Sequence, residues 1–542
     1  MNKVYNYLGA MKKTICMLCA WLSIGVMSAT GRIVKVDPTQ VFQTMDHFTA
    51  SDAWSGALVG RYWSEPERKQ IAEWLFSQEM DAAGHPKGIG LSLWRVNTGA
   101  GTWEQSDCDI QPLQRRVESF KTTDGQHYDW GKCAGQRYFM EQAKALGCNS
   151  FLLFSNSPLV QWTANGKGYA DHKDRANIRP EGYALYGDYL AEVAAHYLQE
   201  GFPIRYISPI NEPQVDWARP AQEGSSWRLS EMKRMYAALD EAMQQRTSLD
   251  SVQILVGEAA SIPVLYREDE GVSRQFKGDV ETPHRVIQAF FDSRSPHYVG
   301  DLKHVPRLIG AHTYHNHTTN QEIEETRRPV KDTCAHYDVR YYQTEWCLLP
   351  YGEEPIRRFD GFTSDWQAGT HTDMQVALLM GRLIYADIVC SGAEAWGYWK
   401  AMELNGNHAL ISLQAQEGNL LMGGHATPNK LLWALGNYSR FIRPGYQRIT
   451  LEGAEELATL CGSAYRSPDG KQLVLVFVNT GFEPEEVQLT LPKAWQKQVR
   501  KISLYRTDER TDLSLVETLD GASRSLSIAP RSLTTCVVEL GF

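Results

Sequence analysis

Apolar residues in the middle of the chain alternate between two patterns. Short apolar runs, such as residues 150–154 and 204–209, are separated by longer stretches with apolar residues at helical spacing. Residues 185–198 are one such stretch, with apolar side chains at Tyr186, Tyr189, Leu190, Val193 and Tyr197. Short runs are typical of buried strands, and the longer stretches are typical of amphipathic helices. The pattern therefore predicts repeated strand–helix units.

Eight candidate strands can be counted along this region. They begin near Phe48, Gly90, Ser150, Arg205, Gln253, Arg307, Arg340 and Ala393. Predicted helices between them cover residues 138–146 and 185–198, and Ser230 is the predicted cap of a helix that reaches about residue 244. Eight strand–helix units predict an α/β fold, a (β/α)8 TIM barrel. An open doubly wound sheet is the alternative, but no GxGxxG or phosphate-binding loop follows any strand.

The pattern changes after about residue 440. Residues 472–478, 486–491, 501–505 and 534–540 alternate as strands, with Gly and Pro turns between them and no predicted helix. This pattern of strands and turns predicts an appended antiparallel β-sandwich. Residues 32–36 are also strand-like and are expected to join it. The expected domains are an N-terminal strand at 30–45, a catalytic barrel at 46–436 and the sandwich at 437–542.

The N-terminus has the composition of an export signal. Lys12 and Lys13 precede an apolar stretch at 15–27, and the small residues Ser28 and Ala29 follow it. We expect residues 1–29 to be a cleaved signal peptide and the mature protein to be secreted or periplasmic. No other segment is apolar enough to span a membrane. The eight cysteines beyond the signal contain no CxxC pair, and most are expected to be buried free thiols.

The net charge of the chain argues against a nucleic-acid partner. The formal net charge is -9, whereas nucleic-acid-binding domains show clustered Lys and Arg. We therefore expect no nucleic-acid partner, and we expect a monomer. The chain has 16 Trp and 25 Tyr. Most of these are expected in the core, and some could stack on sugar rings.

Two strands end in glutamate. Residues 207–213 read Ile-Ser-Pro-Ile-Asn-Glu-Pro, which places Glu212 after the fourth strand, and residues 341–346 place Glu345 at the end of the seventh. Carboxyl ends of barrel strands form the cleft, so these side chains are expected to face one another. The alternative for each is a solvated or ion-paired carboxylate. Glycoside hydrolysis needs two such carboxylates, at roughly 5–5.5 Å for retention and farther apart for inversion.

Several motifs resemble glycoside hydrolase family 30 of clan A. Asn-Glu-Pro after strand four and Glu after strand seven are similar to the clan signature. Residues 49–54 (Thr-Ala-Ser-Asp-Ala-Trp), 90–97 (Gly-Leu-Ser-Leu-Trp-Arg-Val-Asn) and 435–445 resemble the first-strand motif, the second-strand motif and the barrel-to-sandwich junction. The resemblance covers essentially the whole mature chain. It implies a retaining glycoside hydrolase that needs no cofactor, with Glu212 as acid/base and Glu345 as nucleophile.

The resemblance also implies supporting roles for other residues. Arg95 would hold the nucleophile ionised, Asn211 would bond the sugar 2-hydroxyl, and Tyr314 would position the nucleophile. Trp399 is the expected floor under the sugar at the cleavage point. A structural salt bridge for Arg95 and a core position for Trp399 are the alternatives. The further cleft candidates are Asp52, Trp54, Trp162, Trp217 and Glu258.

A histidine cluster at residues 312–317 invites a metal-site interpretation. His312, His315 and His317 could in principle ligate a transition metal. Side chains on a strand alternate between faces, however, and His312 and His315 differ in parity. We therefore expect no metal, and we expect His312 to bond sugar or to orient a carboxylate.

Residues 211–224 favour one branch of the resembled family. Asn211 to Gln214, then Asp216-Trp217 and Gln222-Glu223-Gly224, are most similar to endo-β-1,6-galactanases. Val215 departs from that branch, where an aromatic residue is expected. The expected substrate is a plant-type polysaccharide or oligosaccharide, with β-1,6-galactan first. A xylanase, a β-1,6-glucanase or exo-acting glycosidase, and a non-catalytic glycan-binding protein are the alternatives.

Overall fold

A computed structural model describes residues 31–349, 360–361, 374–405 and 409–541. The predicted signal peptide at 1–29 lies outside the described residues. None of the described helices has the length and apolarity to cross a membrane.

In chain order, the described strands are β1 (Arg32–Thr44), β2 (His47–Ser51), β3 (Leu93–Asn97), β4 (Phe151–Phe154), β5 (Ile204–Ser208), β6 (Gln253–Ile254), β7 (Val256–Ala259), β8 (Leu308–His312), β9 (Arg340–Glu345), β10 (Ala395–Lys400), β11 (Met402–Leu404), β12 (Ile411–Ala415), β13 (Gly424–Pro428), β14 (Gln447–Glu452), β15 (Leu460–Arg466), β16 (Gln472–Asn479), β17 (Glu485–Thr490), β18 (Val499–Thr507), β19 (Ser514–Asp520), β20 (Ser525–Ile528) and β21 (Ser532–Leu540).

The described α-helices are α1 (Ser55–Tyr62), α2 (Glu65–Phe76), α3 (Ala134–Ala145), α4 (Gly182–Gln199), α5 (Leu229–Gln244), α6 (Glu270–Gln275), α7 (Val286–Phe291), α8 (Asn320–Tyr337), α9 (Met374–Val389), α10 (Lys430–Ser439) and α11 (Lys493–Gln496).

Strands β2 to β10 form the barrel. They hydrogen-bond in the order β6-β5-β4-β3-β2-β10-β9-β8-β7, and every pair is parallel. Strands β6 and β7 are two halves of one strand, interrupted at Leu255. The ends of the sheet therefore meet, and eight strands close the barrel. The predicted (β/α)8 barrel is confirmed, and the predicted strand starts lie within three residues of the observed ones.

The predicted helix starts lie two to four residues after the observed ones. Helix α3 begins at Ala134 rather than at residue 138, and α4 begins at Gly182 rather than at residue 185.

Helix α5 begins at Leu229 rather than after Ser230. The Glu231 carboxylate accepts the backbone N–H of Arg228 at 2.8 Å and that of Ala176 at 2.9 Å. Glu231 is the third residue of the helix, and its side chain bonds back to the N–H of the capping residue Arg228, as the acidic residue of a capping box does.

The C-terminal domain is a nine-stranded sheet with the order β19-β18-β21-β16-β15-β14-β1-β17-β20. Its pairs are antiparallel except β1 with β17. Strand β1 shifts register between Asp37 and Val41, where it bends, and residues from both halves of the sheet share one apolar core. The appended antiparallel domain is thus confirmed, whereas the domain boundaries stay predictions. The expectation that no helix intervenes is wrong, because α11 lies between β17 and β18.

Strand β16 joins the two domains. Leu473, Leu475 and Phe477 lie in the core of the C-terminal sheet. The alternate residues Val474 and Val476 belong to the barrel cluster, which also contains helices α9 and α10. A strand buried on both faces reads as a continuous apolar run, as residues 473–478 do. The eight cysteines in the described ranges are free thiols, and seven of them are buried.

Candidate active site

Two glutamates and a histidine meet at the carboxyl end of the barrel. Glu345 is the last residue of β9, His312 is the last of β8, and Glu212 lies four residues after the end of β5. One carboxylate oxygen of each glutamate and one ring nitrogen of His312 all lie within 4.8 Å of one another. The predicted juxtaposition of two strand-end carboxylates is what the structure has.

Arg95 holds the Glu345 carboxylate in place. It lies inside β3 and is 1% exposed. Its Nη1 donates to Glu345 Oε2 at 2.6 Å, and its Nη2 donates to Glu258 Oε2 at 2.8 Å and to Asn211 Oδ1 at 3.3 Å. Its guanidinium carbon lies 3.7 Å from the ring centroid of Phe154. A planar cation on an aromatic face, bonded in its plane to two carboxylates, is held in one orientation.

His312 connects three carboxylates. Its Nδ1 is 2.9 Å from Glu212 Oε1, and its Nε2 is 3.2 Å from Glu258 Oε2 and 3.5 Å from Glu345 Oε2. Burial by itself would lower the pKa of His312, but the charges of Glu345, Glu212 and Glu258 raise it to about 10. The imidazolium form, which donates from both nitrogens, is therefore favoured at neutral pH.

Tyr314 completes the contacts of Glu345. Its hydroxyl donates to Glu345 Oε1 at 2.9 Å, so both oxygens of this carboxylate are bonded. Burial raises the pKa of Glu345, and the positive charges of His312 and Arg95 oppose that rise. The pKa of Tyr314 is raised by burial and by the neighbouring Glu345 charge, which keeps its hydroxyl a donor.

The backbone at the site is left-handed at two glutamates. Glu212 has φ 45° and Glu258 has φ 46°, and the Glu212 N–H donates to the Glu258 carbonyl at 2.9 Å. Such non-glycine conformations cost free energy and persist where the surroundings enforce them. Trp217 is one of the enforcing groups, because its Nε1 donates to the Glu212 carbonyl at 3.2 Å and its ring packs on Gly224, where a Cβ would collide.

Trp399 and Trp54 form an aromatic wall beside Arg95. Their ring centroids are 5.3 Å apart, edge to face, and Trp399 lies 6.0 Å from Phe154 and 5.6 Å from the Arg95 guanidinium. Trp54 Nε1 is buried and has no hydrogen-bond partner among the described residues. Trp399 thus lies beside Arg95 and Trp54 lies against Trp399, and their contact with sugar stays a prediction.

Asp52 and Trp162 lie in different surroundings. Asp52 accepts the Asn97 N–H at 2.8 Å and a Gln136 amide N–H at 2.7 Å, so both of its oxygens are engaged by protein. Burial raises the pKa of Asp52 to about 7. Trp162 packs edge to face on Tyr189 at 6.0 Å. Direct sugar contacts for these two residues stay predictions.

The histidine cluster does not converge on one point. His315 has φ 65°, and the His317 ring packs edge to face on Trp346 at 5.8 Å. Burial lowers the pKa of His317 to about 3. Within the described ranges, the trio that could hold a metal is Glu212, His312 and Glu345, which includes neither of the other two histidines.

Sequence reasoning understated two residues. Glu258 is only one of several cleft candidates in the sequence analysis, although it is the last residue but one of a buried strand, which makes it a third glutamate at the carboxyl end of a barrel strand. Phe154, which supports Arg95, carried no signal beyond its place at the end of an apolar strand.

Comparison with known proteins gives consistent matches. A sequence model described as O-glycosyl hydrolase family 30 matches residues 31–411. The endo-β-1,6-galactanase of Hypocrea rufa is 27% identical over 231 residues, which cover 39% of this chain and 47% of that protein. The chain thus matches about half the length of this curated relative.

Solved structures match over the whole fold. A conserved exported protein from Bacteroides fragilis is 29% identical with a TM-score of 0.84, and the match covers 93% of this chain and 100% of that one. The catalytic domain of xylanase C from Talaromyces cellulolyticus is 20% identical with a TM-score of 0.62, covering 93% and 99% of the two chains. With the family match spanning most of its length, the chain belongs to O-glycosyl hydrolase family 30.

Proposed function

We propose that this protein is a secreted retaining β-glycoside hydrolase that cleaves β-1,6-galactan internally by double displacement. Glu345 is the nucleophile and Glu212 is the acid/base. The observation that carries the proposal is the approach of the Glu212 and Glu345 carboxylate oxygens within 4.8 Å. An approach this close is compatible with the roughly 5–5.5 Å between the carboxyl groups of retaining enzymes and favours them over inverting enzymes, whose carboxyl groups lie roughly 6.5–9.5 Å apart.

The two carboxylates differ in ways that suit the two roles. Glu345 is 4% exposed at the side chain and is bonded on both oxygens by Arg95 and Tyr314, so its charge is stabilised and its orientation is fixed. Glu212 is 12% exposed at the side chain, and its contact with His312 uses Oε1. Its second oxygen is therefore the one available to a leaving group.

The mechanism has two steps. A Glu345 oxygen attacks the anomeric carbon, the glycosidic C–O bond breaks, and the Glu212 proton passes to the leaving oxygen. Glu212 then takes a proton from water, and the water oxygen displaces Glu345 from the anomeric carbon. Two inversions restore the original anomeric configuration.

Galactan is proposed as the substrate on two grounds. Residues 211–224 are similar to the galactanase branch, and the Hypocrea rufa relative is an endo-β-1,6-galactanase. Xylan and β-1,6-glucan are the alternatives. Secretion is supported by the signal-like residues 1–29 and by the exported relative from Bacteroides fragilis.

The test is chromatographic product analysis on β-1,6-galactan, glucuronoxylan and β-1,6-glucan. The matched variants are Glu345→Gln and Glu394→Gln. Glu394 pairs with Arg340 at 2.9 Å at the opposite end of the barrel. Its variant therefore also removes an Arg–Glu ion pair, but one that lies away from the proposed catalytic residues. Galacto-oligosaccharides from wild type and from Glu394→Gln, and none from Glu345→Gln, are expected. Xylan or glucan products would overturn the substrate and keep the mechanism.

Azide rescue separates the two glutamates. In Glu212→Gln, an aryl β-glycoside whose phenol needs no protonation should still glycosylate Glu345, after which the intermediate accumulates. Azide needs no base, so it should restore turnover and give a β-glycosyl azide. An α-glycosyl azide, or no rescue, would contradict the assignment.

A metal-dependent hydrolase is the second candidate, because Glu212, His312 and Glu345 could together hold a divalent cation. Against it, Arg95 and a protonated His312 already supply positive charge to these carboxylates. Activity that EDTA abolishes and Zn²⁺ restores would favour the metal. Glycan binding without any hydrolysis would instead favour a non-catalytic glycan-binding protein.

A further inference from the structure

A third carboxylate shares the site and has no role in the two-step chemistry. Glu258 is fully buried on β7, and its Oε2 lies 2.8 Å from Arg95 Nη2 and 3.2 Å from His312 Nε2. Its backbone carbonyl also accepts the Glu212 N–H. Glu258 thus contacts both cations of the site and the backbone of the proposed acid/base.

We propose that Glu258 is a positioning residue that serves as the permanent counter-ion of the site, holding His312 as an imidazolium bonded to Glu212 through both chemical steps. This inference rests on the proposed function. It assigns Glu258 no contact with substrate and no proton transfer of its own.

The charges of the resting site support this role. Before reaction Glu212 carries its proton and Glu345 is ionised. Arg95 and His312 then face two carboxylates, those of Glu345 and Glu258, and the buried cluster is neutral. Without Glu258 it would carry an excess positive charge, which is costly in a buried site.

The charges of the intermediate balance in the same way. Glu345 becomes a neutral ester, and Glu212 loses its proton to the leaving group. The two cations now face the carboxylates of Glu212 and Glu258. A negative charge disappears at Glu345 as one forms at Glu212, and Glu258 keeps the total unchanged.

The groups around His312 agree with a permanent imidazolium. The titratable neighbours that face it are Glu212 after β5, Glu258 on β7, Tyr314 after β8 and Glu345 on β9, with Arg95 on β3 behind them. Burial would raise the pKa of Glu258, but Arg95 and His312 outweigh it and the pKa is lowered. Glu258 therefore stays ionised at neutral pH.

The first test reads His312 directly, by NMR of protein with ¹⁵N-labelled histidine, with the signal assigned by its loss in His312→Asn. In wild type, we expect both ring nitrogens to remain protonated at pH 8. In Glu258→Gln, the midpoint should fall by about one to three pH units, the range that loss of one charge about 4 Å away gives between bulk water and an effective dielectric of about 20. A neutral His312 in wild type at pH 7 would overturn the proposal, whether or not the variant folds.

The second test is the pH dependence of kcat/KM for wild type, Glu258→Gln, Glu258→Asp and the control Glu394→Gln. Removing a negative charge favours ionisation of the carboxyl groups that remain. The acidic and the basic limb of the kcat/KM profile should therefore both move to lower pH in Glu258→Gln. Glu258→Asp keeps the charge and should keep the wild-type limbs, even if its kcat is lower. Unmoved limbs in Glu258→Gln would overturn the proposal. If wild type hydrolyses no glycan, the proposed function fails, and the NMR titration still decides the state of His312.

Discussion

Single side chains at the site carry distinct contacts, and these contacts can be removed one at a time. Tyr314 makes one hydrogen bond to Glu345 Oε1, at 2.9 Å, from a fully buried position. Since the bond is made to a charged group, it is worth about 1.5–3 kcal/mol.

Tyr314→Phe removes that bond and leaves the ring in place. We expect kcat/KM to fall by about 10- to 100-fold, because Glu345, the proposed nucleophile, loses its orienting donor. Steady-state kinetics on the glycan identified by product analysis gives the measurement. Tyr62→Phe on the exposed surface of α1 is the control and should leave the rate unchanged. A wild-type rate in Tyr314→Phe would show that Arg95 alone fixes Glu345.

The sequence indicates which residues meet at the site, but it does not indicate which hydrogen bonds they form. Glu212 and Glu345 could be placed because a position at the end of a barrel strand is a local property of the sequence. The bridge from Glu258 through His312 to Glu212 joins three different strands, so no local pattern contains it. Asp52 shows the same limit, since its partner Gln136 lies 84 residues away.

At the scale of elements, hydrophobic periodicity located the barrel strands and helices α3, α4 and α5, whereas the equally long α8 and α9 were not predicted. The C-terminal strands β14, β15, β19 and β20 were missed. Strand β19 is largely exposed at the edge of its sheet, so it lacks the alternation by which strands are recognised. The interruption between β6 and β7 was also missed, because it depends on local backbone geometry.

Two glycines let helices α1 and α3 approach closely. A Cβ on Gly135 would collide with the Ala57 carbonyl oxygen, and a Cβ on Gly60 would collide with the Gly135 carbonyl. Helix α1 directly follows Trp54, so this contact also supports one side of the aromatic wall.

Gly135→Ala is therefore expected to destabilise the fold by about 1–3 kcal/mol, because backbone atoms must move apart. Thermal unfolding followed by circular dichroism checks this. Gly271→Ala is the control, since Gly271 is exposed on α6 and its nearest neighbour is a side-chain atom, the capping Asp269 Oδ1 at 3.1 Å, rather than backbone of another helix. An unchanged unfolding midpoint in Gly135→Ala would contradict the close crossing.

The whole molecule depends on an apolar face shared by barrel and sheet. Leu533 on β21 is fully buried in the barrel cluster, and its Cδ2 lies 3.0 Å from the position of a Cβ on Gly381 of α9. One face of β16 and β21 thus packs on barrel helices, whereas the alternate residues of both strands lie in the core of their own sheet.

Leu533→Ala should cost about 2–5 kcal/mol, through lost burial and the cavity left behind. Because the face is shared, both domains should unfold together at the lower midpoint. Tryptophan fluorescence and far-ultraviolet circular dichroism would be compared, with Val516→Ala at an exposed position as control. Two separate transitions in wild type would contradict the shared core.

The measurement that tests the central claim most directly is identification of the residue that becomes glycosylated. In a 2-deoxy-2-fluorogalactosyl fluoride of β configuration, the 2-fluoro group slows both chemical steps, whereas the fluoride leaving group speeds the first. The glycosyl ester therefore forms faster than it is hydrolysed, and it accumulates. Incubation, proteolysis and mass spectrometry should find one fluorogalactosyl group on the peptide that contains Glu345, and none in Glu345→Gln. A glycosylated peptide without Glu345, or galactan hydrolysis that gives the inverted anomer, would contradict the account.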